Sequence, residues 1–140
     1  MKITIVGSSV FAKQMVEYRD RLIKLGHNVN LHEHYIAQAN GRMKDLIGRM
    51  QKEHASVKIE YDYIRYHYNE IVGSDAVLVL NFDKNGIKNY IGGNTFMEIG
   101  FAYVNNKKIF LLNPIPDMNY RDEIEACQPI VINNDLSLIK

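Results

Sequence analysis

Glu98 is the residue whose surroundings point most directly to chemistry. It sits in Gly92-Gly93-Asn94-Thr95-Phe96-Met97-Glu98-Ile99-Gly100-Phe101-Ala102-Tyr103, where two glycines and a polar pair follow an apolar strand and open an apolar helical pattern. That order places one carboxylate in the first turn of a helix above a sheet edge, where it can serve as nucleophile or general base. The same residues fit a structural role. Thr95-Phe96-Met97-Glu98 matches a capping box, in which Thr95 and Glu98 satisfy each other's backbone N–H groups, and an acid in a first turn suits the helix dipole.

Three further groupings could do chemistry. Gly7-Ser8-Ser9 is a small-residue turn between a strand and a helix, whose N–H groups can face an anion, although Ser8 or Ser9 as a helix cap explains it equally. It lacks the full dinucleotide fingerprint, and no cofactor is expected. Tyr61, Tyr63, Tyr66 and Tyr68 could stack on a nucleobase or pack beside the sheet. His32 and His34 form an H-x-H pair able to present two imidazoles from one strand face, but no further ligand cluster accompanies them. Cys127 is the only cysteine, which excludes an internal disulfide framework and a cysteine-rich zinc site and leaves a buried thiol as its expected role.

The elements that position these groups alternate along the chain. Residues 2–6 read as a buried strand and 11–25 as an amphipathic helix with Val10, Met15, Tyr18, Leu22 and Leu25 on its apolar side, closed by Gly26. A strand over 29–32 follows, and then a long polar excursion over about 35–58, an inserted segment with a helix at 44–54 whose apolar positions are Leu46, Ile47 and Met50. An insertion of this length is more often a lid or an interface than core. The next helix, 60–72, places Tyr61, Ile64, Tyr68, Ile71 and Val72 on one face and Tyr63, Tyr66, His67 and Glu70 elsewhere. Ala76-Val77-Leu78-Val79-Leu80 is an unbroken apolar run of the kind covered on both faces in a parallel sheet. A polar loop over 81–94 leads to the Glu98 helix, and strands at 109–112 and 129–132 flank a short helix at 120–126.

This pattern predicts a single α/β domain over residues 1–140, with a doubly wound five-stranded parallel sheet of order 2-1-3-4-5 in the flavodoxin or Rossmann-like manner. Ligands bind such sheets outside the carboxyl ends of the strands at the switch point, here between strands one and three. The loops that converge there are Gly7-Ser8-Ser9, the 81–94 loop with Glu98 behind it, and Asn113-Pro114.

Composition narrows the partners. The 140 residues are 46% hydrophobic and 24% charged, and 17 basic against 16 acidic side chains give a net charge of +1. No strong field advertises a nucleic acid polymer or an anionic membrane, whereas a small anion at one helix N-terminus is compatible. The opening apolar run is too short for a signal peptide or membrane span, so a cytoplasmic location is expected.

At these residues the chain resembles the nucleoside 2-deoxyribosyltransferase superfamily, including its related nucleoside 5′-phosphate N-glycosidases. The resemblance is carried by Lys2-Ile3-Thr4-Ile5-Val6-Gly7-Ser8, Ser74-Asp75-Ala76-Val77-Leu78-Val79-Leu80, Gly93-Asn94-Thr95-Phe96-Met97-Glu98-Ile99-Gly100-Phe101-Ala102 and Lys107-Lys108-Ile109-Phe110-Leu111-Leu112, with Glu98-Ile99-Gly100-Phe101-Ala102 its specific part. It implies that Glu98 attacks the anomeric carbon of a nucleoside or nucleoside 5′-monophosphate, giving a glycosyl ester that water or another base resolves, much as in retaining glycoside cleavage. Asn69-Glu70 resembles the family's Asn-Asp pair, whose acid helps to protonate or orient the base. Gly7, Ser8 and Ser9 are similar to the phosphate-binding turn of the nucleotide hydrolases, and Gly92, Gly93, Asn94 and Asn113 join the implied substrate site. A homo-oligomer, dimer or higher, is also implied. Two other functions fit the same residues: a non-catalytic nucleotide-binding module, and an NAD glycohydrolase using a similarly placed glutamate.

Overall fold

The computed structural model describes residues 1–140, except for the side chain of Met50, so the role expected of Met50 in the inserted helix lies outside the described residues. Five parallel strands form the sheet: β1 (Lys2–Gly7), β2 (Asn28–Asn30), β3 (Ala76–Leu80), β4 (Lys108–Leu111) and β5 (Ile130–Val131), in the order β2-β1-β3-β4-β5. This is the doubly wound architecture anticipated above.

The alternation of β3 side chains divides the core into two layers. Ala76, Leu78 and Leu80 face one side with Ile3, Ile5 and Phe110, where Met15, Tyr18 and Leu22 of α1 (Ala12–Lys24) cover them. Val77 and Val79 face the other side with Val6, Ile109 and Leu111. There they meet Ile71 of α5 (Tyr63–Val72), Ile99 and Ala102 of α6 (Gly93–Val104) and Ile124 of α7 (Arg121–Ala126). Every residue of β3 is buried, which is why its sequence is continuously apolar rather than alternating.

Register brings the functional loops together. Gly7 at the end of β1 pairs with Leu80 at the end of β3, so the loops leaving these strands emerge side by side. Gly7 has φ +157°, and a Cβ there would lie 3.0 Å from the Leu80 carbonyl oxygen, so the close approach of the two strand ends requires glycine.

The inserted segment departs from expectation. The chain leaves β2 earlier than predicted and enters α2 (Glu33–Ala39), followed by α3 (Lys44–Lys52) and α4 (His54–Glu60). His32 is therefore the N-cap of α2, its Nδ1 accepting from the His34 backbone N–H at 2.9 Å, and the H-x-H pair does not lie on a strand face. Left-handed Met43 (φ 54°) precedes α3, and left-handed Asp62 (φ 51°) separates α4 from α5. The break at Asp62 moves the start of the helix predicted over 60–72 to Tyr63, while its end at Val72 stands.

The apolar face expected on that helix is also corrected. Tyr63, His67 and Ile71 are buried, whereas Tyr61, Ile64, Tyr68 and Val72 are largely exposed. Leu46 of α3 and Val57 of α4 form a small separate core with Tyr63, while Ile71 packs on the sheet, so the insertion covers one end of the 63/67/71 stripe and the sheet the other.

Candidate active site

A cleft of about 190 Å³ opens at the carboxyl ends of β1 and β3. Its floor is the first loop, Gly7, Ser8 and Ser9, together with Gly92, Gly93, Asn94 and Thr95 at the start of α6. Tyr35, His54, Val57 and Lys58 of the insertion form one wall with Tyr63 and His67 of α5, and Lys84 and Tyr90 of the β3–α6 loop form another. The predicted residues Gly7, Ser8, Ser9, Gly92, Gly93 and Asn94 are thus brought together.

Glu98 lies directly behind this lining, 3% exposed. α6 begins at Gly93 with Gly92 as its N-cap and no side-chain cap bond, so Glu98 falls in the second turn and the Thr95–Glu98 capping box does not form. Its partners lie at the cleft instead. Asn94 Nδ2 donates to Glu98 Oε1 at 2.9 Å, one helical turn away, and His67 Nδ1 lies 3.5 Å from Oε2.

Burial sets the charge of this pair. Removal from water pushes the Glu98 carboxyl up to about 8, with the Lys58 ammonium opposing the rise. Burial, then the neighbouring His32 and Lys58, pushes His67 down to about 4. Both groups are thus pushed toward their neutral forms, so the 3.5 Å approach of His67 Nδ1 to Oε2 is a close polar contact rather than an ion pair. The His67 ring is stacked near-parallel to Tyr35 (centroids 6.0 Å, 14°) and Tyr63 (6.3 Å, 13°), which fixes its plane toward Glu98. Tyr63 is itself hydrogen-bonded to His34 Nδ1.

The opposite end of the cleft is cationic. Lys84 Nζ donates to Ser8 Oγ at 2.9 Å and lies 5.2 Å from the centroid of the Tyr90 ring. A reverse turn aims it: Lys84 and Ile87 exchange both backbone hydrogen bonds around Asn85 and Gly86, both at positive φ. The Asn85-Gly86 dipeptide was a turn signal in the sequence that could have placed Lys84 at a loop tip. Gly92 lets the Tyr90 ring lie close in the same wall, since a Cβ there would lie 3.1 Å from the Tyr90 hydroxyl.

Three predicted site residues lie elsewhere. Asn113 is committed to Asn81, with its N–H donating to Asn81 Oδ1 (2.9 Å) and its Nδ2 to the Asn81 carbonyl (3.1 Å), which ties the ends of β3 and β4. Asn69 is exposed, and Glu70 lines a small separate niche with Thr4 and Asn30. Lys84, Tyr90, Tyr35, His54, Lys58 and His67 are cleft residues that sequence reading did not assign, whereas Tyr63 is the one of the four candidate tyrosines that lines the cleft. Most of the unassigned residues come from the insertion or from the 81–94 loop. Among the described residues no group of three or more His, Cys, Asp or Glu side chains is arranged to hold a metal ion, and no helix is long and apolar enough to cross a membrane.

Comparison of the chain with protein-family models, curated proteins and solved structures returns no match.

Proposed function

We propose that this protein cleaves the N-glycosidic bond of a nucleoside or nucleoside 5′-monophosphate, with Glu98 as nucleophile. The observation that carries this reading is a single buried carboxylic acid held at the cleft by Asn94 on one oxygen and His67 on the other. The sugar lies over the start of α6, the base among the tyrosines, and a 5′-phosphate against Gly7, Ser8, Ser9 and Lys84, where loop N–H groups and an ammonium favour an anion.

In this scheme Glu98 reacts as the carboxylate. Loss of its proton turns His67 from acceptor to donor by a change of tautomer, so that Asn94 Nδ2 and His67 Nδ1 each donate to one carboxylate oxygen. An oxygen reaches C1′ once ligand tightens the site, the C1′–N bond breaks, and water or an acceptor base resolves the ester. The enzyme is cytoplasmic and acts as a homo-oligomer.

Free base detected chromatographically after incubation with ribo- and deoxyribonucleosides and their 5′-monophosphates tests the reading. Release by wild type and none by Glu98→Gln, with the fold retained, is the expected result; undiminished release by the variant ends it. One observation favours a non-catalytic nucleotide-binding module instead, namely that Glu98 is buried behind the cleft lining and pushed toward its neutral form. Tight binding of a nucleotide that stays intact on long incubation would establish that alternative.

A further inference from the structure

A carboxylate nucleophile answers only half of a glycosidic cleavage. The departing base takes the bonding electron pair, and without a proton or cation beside it that step is slow. Glu70, the acid suggested for this task by resemblance, does not line the cleft but a small niche with Thr4 and Asn30 on another side of His67. Among cleft groups that can donate, Lys84 is engaged with Ser8 and His67 with Glu98. His54 and Lys58 stand one turn apart on α4 with Val57 beside them, and of these His54 is exposed while Lys58 is half-buried. No hydrogen bond or ion pair holds Lys58 among the described residues, yet its charge acts on both Glu98 and His67. Val57, packed with Leu46 and Tyr63, anchors the turn that carries it.

We propose that Lys58 receives the departing base: its ammonium lies against O4 of a pyrimidine or O6 of a purine and neutralises the charge that develops there as the C1′–N bond breaks. The site therefore selects 2,4-dioxopyrimidines and 6-oxopurines over bases that carry an amino group at that same position. This inference rests on the glycosidase reading. A Glu98 oxygen bonds to C1′ while the C1′–N pair passes to the ring nitrogen and is delocalised onto the carbonyl facing Lys58. A proton from Lys58 neutralises the base. Water then adds at C1′, its hydroxyl remains on the sugar, Glu98 leaves as carboxylate, and the proton released restores Lys58.

The test compares wild type, Lys58→Met and Lys58→Arg on uridine and inosine 5′-monophosphates, on their cytidine and adenosine counterparts, and on 4-nitrophenyl β-ribofuranoside 5-phosphate. Nitrophenolate leaves without help. Rates are compared on the alkaline plateau of each protein, where loss of the Lys58 charge no longer limits ionisation of Glu98. There Lys58→Met is expected to slow uracil and hypoxanthine release about 100-fold, the loss typical of a missing acid, while nitrophenolate release stays near wild type. The preference for oxo bases should collapse in Lys58→Met and return largely in Lys58→Arg. Equal losses on nucleotide and nitrophenyl substrates would reduce Lys58 to a packing residue. A loss confined to phosphorylated substrates, measured against uridine and inosine, would make it a phosphate ligand. Either result overturns the proposal while leaving the glycosidase reading standing, whereas no release of any leaving group by wild type would end both.

Discussion

Glu98 Oε2 and His67 Nδ1 lie 3.5 Å apart across the α5–α6 contact, both side chains buried and each pushed toward its neutral form. A well-packed core gains nothing from such a pair that two apolar side chains would not supply, and both groups pay for burial in the pH ranges where they ionise in water.

Stability should carry the signature of Glu98. Its folded value is raised from 4.5 to about 8, so the folded state holds the proton more tightly than the unfolded one. The contribution is intact below pH 4.5, declines as pH rises through that window, and levels off above about pH 8. A displacement of this size corresponds to roughly 4–5 kcal/mol. Chemical denaturation of wild type and Glu98→Gln across this range should give curves that diverge with rising pH, the variant becoming the more stable. Parallel curves would mean that Glu98 ionises as easily in the fold as in water.

Catalysis should run the opposite way along the same axis. If the carboxylate is the reacting form, kcat/KM rises with pH about tenfold per unit until it levels near pH 8. His67→Phe removes a donor to the carboxylate without emptying the space, so the inflection should move to higher pH and activity at pH 7 should fall more than at pH 9. A profile that instead falls with pH would recast Glu98 as a proton donor.

Much of this was legible before the structure. The five strands and their order follow from apolar runs and from glycines and prolines at their ends, because a sheet covered on both faces leaves that imprint in sequence. Gly7, Ser8, Gly92, Gly93 and Asn94 were legible because the switch point of such a sheet is a property of topology. His67 was not. Periodicity favoured Tyr61, Ile64, Tyr68 and Val72, whereas the sheet buries Ile71 and the insertion, through Leu46 and Val57, buries Tyr63, so the stripe that carries His67 between them turns inward. Lys58 was hidden for the same reason, since a short polar helix shows which face it buries only once its neighbours are placed. Glu98 itself was read one turn too early, because a helix beginning at Gly93 looks in sequence like one capped by Thr95.

Asn81 should prove a structural residue of unusual weight for a loop. Fully buried, it donates Nδ2 to the Asn113 and Pro114 carbonyls and accepts the Asn113 N–H, so its side chain closes the ends of β3 and β4. Asn81→Ala leaves those backbone groups without their partner, at a loss of about 1–3 kcal/mol for each one kept from water. Thermal and urea unfolding should register it. Asn113→Ala keeps the Asn113 backbone bonds to Asn81 and loses only Nδ2, so its effect should be clearly smaller.

Lys84 separates nucleotide from nucleoside. Its ammonium is held over Gly7-Ser8-Ser9 by Ser8 Oγ and the Tyr90 face, at the opposite end of the cleft from the Glu98–His67 pair, and the reverse turn at Asn85-Gly86 fixes its base. Lys84→Met keeps most of the stem's packing while removing the charge. The expected result is a rise of about tenfold or more in KM for 5′-monophosphates, the loss of one charge-assisted contact, with kcat/KM for the unphosphorylated nucleosides little changed. Raising ionic strength should weaken nucleotide binding by wild type and leave the variant nearly indifferent, because a half-buried cation at an open cleft and a phosphate attract through solvent that salt still screens. Equal losses on nucleosides and nucleotides would instead assign Lys84 to holding the Ser8 loop and the Tyr90 ring in place.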